Sequence, residues 1–431
     1  MKTTLRIIHA VLNGARVNVS IVDNRFAKIE PEADAAANPE SEDSSVPVLD
    51  AEGMWIVPAF YNAHTHAAMS LLRGYADDME LFTWLNEYIW PVEGTLTPSQ
   101  IYEGTRLAIL EMIHSGTVFF NDMYWNPEIT LRAVEEMGVR AALGRLFIEE
   151  SPGKILERNL CSTRALESAY RSSTARDRIQ LTYAPHAIYS VSGITLKRVA
   201  EMAKDAGEMI HIHASETSKE VEDCAREHGM SPIAWLDTCG LLTSRTVLAH
   251  CVHLSNRDVA ILRDRGAVAC SCPWSNAKLC SGQFNYRQVV EEYRCRVALG
   301  TDGCASNNNL SMFDEMKAFS LLAKARSGDP KCAPAASVLH IATKHGAEAF
   351  GIHAGVIAEG WLADCLLVNP ASLPLIPMHH LEANLVYSAD TSCVDTVICN
   401  GRVLMRHGVI PGEGEIIEAA RRAAVFPKSS Q

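Results

Sequence analysis

The stretch Ile56-Val57-Pro58-Ala59-Phe60-Tyr61-Asn62-Ala63-His64-Thr65-His66-Ala67 decides how the rest of the chain is read. A short apolar run ends in two histidines spaced i, i+2. On an extended strand that spacing aims both imidazoles to one side. One strand end can therefore offer two nitrogen ligands to one metal. In a chain with 16 histidines, a His-x-His pair alone is equally well two polar residues at a strand mouth. The other segments must supply the missing ligands.

Outward from this stretch, strand-like and helix-like segments alternate, the signature of parallel β/α architecture. One core strand ends near Asn62, and others are expected at 116–121, 139–147, 180–184, 209–213, 246–250, 267–272 and 297–302. Amphipathic stretches at 98–114, 156–172, 196–206, 255–265 and 313–325 are long enough for crossover helices. Eight such units predict a (β/α)8 TIM-type barrel, with functional groups just past the carboxyl ends of the strands.

The two chain ends read differently. Short strands are expected at 5–12, 15–22 and 26–29, punctuated by Asn13-Gly14 and Asp23-Asn24, and again at 48–50. Between them, 31–47 is mostly Ala, Glu, Asp and Ser and is expected to be a surface loop. After a helix at 335–350, strands are expected at 364–368, 383–387, 394–399 and 402–404, with Asn400-Gly401 as a hairpin turn. Neither end makes a convincing core alone. Residues 1–57 and 357–431 are expected to pack together as a small β-sandwich beside a barrel of 58–356.

Composition narrows the partners. The net charge of -12 comes with no basic block, which argues against a nucleic-acid or anionic-membrane binder. No apolar run is long enough to span a bilayer, and Met1-Lys2-Thr3-Thr4-Leu5-Arg6 leads straight into a strand pattern. The 13 cysteines are scattered without Cys-x-x-Cys pairs and read as reduced thiols in a cytoplasm. A small-molecule partner is the expectation, with monomer and homo-oligomer both open.

The candidate chemistry falls at strand ends. Strand five ends His211-Ile212-His213-Ala214-Ser215-Glu216, strand six in His250, and strand eight in Asp302. His64, His66, His213 and Asp302 would hold one divalent metal and leave a position for water. Three imidazoles disfavour an all-oxygen magnesium or calcium site; zinc is the first choice, with iron, manganese and cobalt open. His213 is preferred to His211 because it lies nearer the carboxyl end, and His211 is then a buried supporting residue. His253 reads as structural. Glu216, three residues beyond His213, stands where a carboxylate can carry protons as general acid and base. The cytidine-type deaminase signature is absent.

With these residues stand the runs Leu71-Leu72-Arg73-Gly74, Trp90-Pro91-Val92-Glu93, Ala184-Pro185-His186, His213-Ala214-Ser215-Glu216-Thr217-Ser218, Ala249-His250-Cys251-Val252-His253-Leu254 and Leu299-Gly300-Thr301-Asp302-Gly303-Cys304-Ala305-Ser306-Asn307-Asn308. Together with Asn62-Ala63-His64-Thr65-His66 they resemble the amidohydrolase superfamily over almost the whole chain. The closest likeness is to its mononuclear deaminase branch, which includes S-adenosylhomocysteine, methylthioadenosine and adenosine deaminases. The resemblance implies the same four metal ligands, Glu216 as proton shuttle, Asp302 as ligand and base, and His250 as the group that orients the attacking water. It further implies that Glu93 accepts hydrogen bonds from ribose hydroxyls, that His186 faces the nucleoside, and that Trp84 and Arg145 lie at the substrate pocket. Two-metal relatives bridge their ions with a carboxylated lysine, and no lysine occurs between Lys154 and Lys197, so one metal is implied.

There are departures. Ile155, with Lys154 and Arg158 close by, stands where relatives acting on S-adenosylhomocysteine carry arginine. Ser271-Cys272-Pro273 replaces the usual His-Asn-Pro after strand seven. The implied activity is hydrolytic deamination of an adenosine-type nucleoside to the inosine analogue and ammonia. The rivals are deamination or dechlorination of another heterocycle (guanine, an oxidised purine, a pterin, a triazine) and a metal-free scaffold. Glu93 discriminates, since a ribose-directed carboxylate has little use on a free base.

Overall fold

The computed structural model describes residues 3–32 and 46–426, so most of the acidic stretch expected as a loop lies outside the described residues. Eight parallel strands form one sheet in chain order: Phe60–Thr65, Thr117–Asp122, Arg140–Phe147, Ile179–Pro185, Met209–Ala214, Thr246–His250, Val268–Ser271 and Arg296–Leu299. Each lies within three residues of its sequence expectation at either end. Nearly every strand residue is buried, because helices cover the outside and side chains fill the inside.

The last strand ends early, at Leu299, and barrel closure passes to the residues after it. Asp302 bridges to Thr65, its N–H donating to the His64 carbonyl at 3.0 Å. Asn62 locks the seam from the other side: its Nδ2 donates to Thr301 Oγ1 at 2.7 Å and its Oδ1 accepts from Thr301 N at 3.0 Å. Closure requires close backbone approach at Gly300, where a Cβ would sit 2.7 Å from the His64 Cβ.

The expected crossover helices form, including Pro98–His114, Glu157–Ser172 and Met312–Ser327. Their ends follow from capping chemistry: Thr97 and Gln100 make a reciprocal capping box, and Gly328 closes the last of the three in the left-handed conformation. Among the described residues no helix is long and apolar enough to cross a membrane.

The two chain ends join in one eight-stranded sheet. Its order is Arg402–Met405, Val394–Cys399, Cys365–Val368, Trp55–Pro58, Thr3–Leu12, Ala15–Val22 and Arg25–Pro31, with Val48–Asp50 also on Thr3–Leu12. Period-two alternation serves both faces of Cys365–Val368. Cys365 and Leu367 pack with Leu5, Ile7 and Ile21, while Leu366 and Val368 belong to the barrel core. One expected strand is corrected: 383–387 falls in the helix Leu381–Tyr387, whose buried Leu385 and Val386 share one helical face.

A buried polar knot fastens sheet to barrel. Asp364, fully buried, accepts from Arg140 Nε at 2.7 Å, Tyr61 Oη at 2.6 Å and Asn400 N at 2.6 Å. Removing the carboxylate leaves Arg140 charged and uncompensated in the interior. Asp364→Ala is expected to cost about 3–5 kcal/mol in denaturant-induced unfolding; a loss below 1 kcal/mol would show that the knot does not hold the two parts together.

Candidate active site

The carboxyl ends of strands one, five, six and eight bring five groups together. His64 and His66 leave the first strand, His213 the fifth and His250 the sixth, while Asp302 follows the eighth. Ser215, His250 and Asp302 have positive φ, at 54°, 73° and 62°. Non-glycine residues are strained there, and such strain gathers where side chains must be aimed.

The hydrogen bonds fix which nitrogens face the site. His66 Nδ1 donates to the Met123 carbonyl at 2.6 Å, and His213 Nδ1 to the His186 carbonyl at 2.7 Å. A carbonyl only accepts, so both protons sit on Nδ1 and the two Nε2 atoms present lone pairs. Those Nε2 atoms face each other at 3.2 Å. Asp302 Oδ1 lies 3.3 Å from His66 Nε2 and 3.4 Å from His64 Nε2, which is buried with no hydrogen-bond partner. Burial pushes the His64 imidazole down to about 4 and holds His213 well below the ordinary histidine range, so both rings are neutral near pH 7. Converging lone pairs, a carboxylate oxygen and an orphaned nitrogen are a donor set that a divalent cation satisfies.

The supporting residues are as specific as the donors. His211 Nε2 lies 2.8 Å from His64 Nδ1, the buttressing place expected for it. Asp302 Oδ2 accepts from Ser275 Oγ at 2.6 Å and Ser306 Oγ at 2.9 Å. His250 Nδ1 is held by Asn276 Oδ1 at 2.8 Å, leaving Nε2 3.6 Å from Glu216 Oε2. Burial raises the Glu216 carboxyl above the ordinary glutamate range, which suits a group that must hold a proton.

A cavity opens above these groups. His66, His213, Glu216, His250 and Asp302 line its polar end. His186, Trp84 and Glu93 line it as well, so these expected positions share one space. The Trp84 indole N–H donates to the Ala76 carbonyl at 3.1 Å, which sets the ring against the cavity. Glu93 is buried, and its Oε2 accepts from Trp125 Nε1 at 3.5 Å. Both Trp84 and Glu93 come from the segment Leu81–Glu93, which includes the π-helical stretch Trp84–Ile89, a wide turn common at functional sites.

Arg145 is the correction. It leaves its strand on the face away from the cavity, where Nε donates to Glu167 at 3.0 Å and Nη1 to Glu208 at 2.5 Å. Its neighbour Leu146 lines the cavity instead. Sequence reading missed Tyr124, Asn276 and Glu220. The Tyr124 hydroxyl is buried at the cavity wall close to the Glu93 carboxylate. Glu220 left a detectable trace, since Thr217-Ser218-Lys219-Glu220 has the spacing of a capping box. Thr217 does accept from Glu220 N, at 3.1 Å. The Glu220 carboxylate instead reaches further back to accept from Ser215 N at 2.9 Å and Glu216 N at 2.8 Å.

Known proteins resemble this chain in sequence and fold. The family model described as the amidohydrolase family matches residues 55–404. A 5-methylthioadenosine/S-adenosylhomocysteine deaminase of Archaeoglobus fulgidus is 43% identical over 88% of this chain and 89% of its own. A 5'-deoxyadenosine deaminase of Methanoregula boonei is 45% identical over 89% and 87%. A crystal structure of an adenosine deaminase from Xanthomonas campestris with bound zinc superposes with a TM-score of 0.89 at 31% identity, covering 98% of both chains.

Because Glu220 pins the backbone that carries Glu216, Glu220→Ala is expected to lower kcat by about 10- to 100-fold while metal content stays at the wild-type level. Glu220→Gln, which keeps one acceptor, should recover part of the loss. Unchanged kcat in Glu220→Ala, read from initial rates, would show that the loop needs no such anchor.

Proposed function

The chain belongs to the amidohydrolase family, and from that premise we propose that it hydrolytically deaminates an adenosine-type nucleoside to the inosine analogue and ammonia. The observation that carries this reading is one cavity with a metal-type donor set at one end and a buried carboxylate, Glu93, at its wall. The names of the relatives at 43% and 45% identity point the same way.

His64, His66, His213 and Asp302 would hold one divalent ion, with zinc favoured by three imidazoles and by the bound zinc of the Xanthomonas structure. When bound, the ion supplies Lewis acidity that makes water a competent nucleophile near neutral pH. Asp302 takes a proton from the attacking water. His250 aims Nε2 at that water, its ring fixed by Asn276. Glu216 gives its proton to purine N1 as C6 is attacked, so that negative charge does not build up on the ring. The proton held by Asp302 passes to the departing amine, which leaves as ammonia, while Glu216 regains a proton from the C6 hydroxyl as the 6-oxo group forms. Glu93 Oε1 accepts from ribose hydroxyls, with the Tyr124 hydroxyl on the same cavity, and His186 faces the base. Trp84 and its neighbours keep bulk water out.

Ultraviolet assays over adenosine, 5'-deoxyadenosine, methylthioadenosine, S-adenosylhomocysteine, guanine and pterins test the reading. Ammonia release from adenosine derivatives is expected; turnover of a free base alone would refute it. Glu216→Gln is expected to keep its metal and lose roughly 100-fold or more in kcat. Near-normal turnover would remove Glu216 from its assigned place.

A further inference from the structure

Glu315 is a fully buried carboxyl that takes no part in the proposed chemistry. Resting on the deaminase reading of the site, we infer that Glu315 is a positioning residue for Asp302 and His250, because it ties together the two segments that hold their side chains. It lies near the start of the helix Met312–Ser327, yet both of its oxygens are directed outside that helix.

Glu315 Oε2 accepts from Trp274 N at 3.2 Å. Trp274 belongs to the short helix Pro273–Lys278, and the next two residues, Ser275 and Asn276, hold Asp302 Oδ2 at 2.6 Å and His250 Nδ1 at 2.8 Å. Glu315 Oε1 accepts from Asn307 Nδ2 at 2.5 Å. The same Nδ2 donates to the Thr301 carbonyl at 2.7 Å, and the preceding residue, Ser306, donates to Asp302 Oδ2 at 2.9 Å. One carboxyl therefore spans both segments that grip Asp302, and one of those segments also grips His250. Asp302 and His250 have positive φ, a region that relaxed backbone avoids, so their aim has to be imposed by neighbours.

The helix does not need Glu315 at its start, because Ser311 caps it, its Oγ accepting from Asp314 N at 3.4 Å. The place is also a costly one for an acid. Burial pushes the Glu315 carboxyl well above the ordinary glutamate range and Asp314 and Asp302 push it the same way, while Trp274 N–H and the Asn307 amide oppose them. A buried polar group is tolerated where its hydrogen bonds are made, and here those bonds lead to the site.

The test compares Glu315→Ala and Glu315→Gln with Asp314→Ala, which removes a neighbouring carboxyl bonded to Asn309 Nδ2 at 3.0 Å. On the zinc-loaded full chain, Glu315→Ala should lower kcat per bound metal by about tenfold or more. KM should stay within about threefold, since no contact to substrate is removed. The visible absorption of the cobalt-substituted chain, which reports ligand geometry at the metal, should change as well. Glu315→Gln keeps the volume and one acceptor, so it should fall between the alanine variant and wild type; it carries the test if the alanine variant does not fold. Asp314→Ala should match wild type in kcat and spectrum. Either a wild-type kcat per bound metal or an unmoved cobalt spectrum in the Glu315 variants overturns the inference, whatever happens to thermal stability. So does an equal change in Asp314→Ala, which would trace the effect to the helix start. If the wild-type chain deaminates no nucleoside, the reading of the site fails, while the cobalt spectra still decide whether Glu315 positions Asp302.

Discussion

Two imidazole nitrogens cannot comfortably face each other through their lone pairs, yet Nε2 of His66 and Nε2 of His213 lie 3.2 Å apart. Each ring has its Nδ1 proton committed to a backbone carbonyl, Met123 for one and His186 for the other. Burial of His213 opposes placing a further proton between them. A shared cation resolves the conflict, and much of the surrounding structure is arranged to keep the conflict in place. His211 holds His64, Ser275 and Ser306 hold Asp302, and Asn276 holds His250. The barrel seam itself runs through the same residues, since Asp302 N bonds the His64 carbonyl and Thr301 is locked to Asn62. The barrel seam and the donor set therefore share the same residues.

The reaction groups are layered outward from that centre. Glu216 stands beside His250, and its backbone is pinned by Glu220. The segment Leu81–Glu93 supplies both the apolar cover and Glu93. A polar end, a hydrogen-bonding wall and a carbon-lined remainder give the cavity a direction, which is what a nucleoside with a reactive base and a diol requires.

The fold was legible because strand and helix periods alternate so regularly that eight strand ends could be placed within a few residues. The cluster was legible for the same reason: His64, His66, His213, His250 and Asp302 fall at or just beyond those ends. Arg145 was not, because all eight residues of its strand are buried and no polar alternation marks the inward face. The helix at Leu381–Tyr387 was lost to a short apolar run, which fits strand and helix equally. Asn276 and Glu220 act through side-chain to ring or backbone contacts across loops, and linear spacing carries little trace of such contacts.

Everything at the centre depends on a cation between His66 and His213. The direct measurement is metal content against activity: quantify divalent metal in the purified chain, strip it by chelation, and titrate zinc back while following deamination. The expected result is about one equivalent per chain at full activity, with loss on stripping and recovery proportional to zinc up to that stoichiometry. A stripped chain that keeps full turnover would contradict the account.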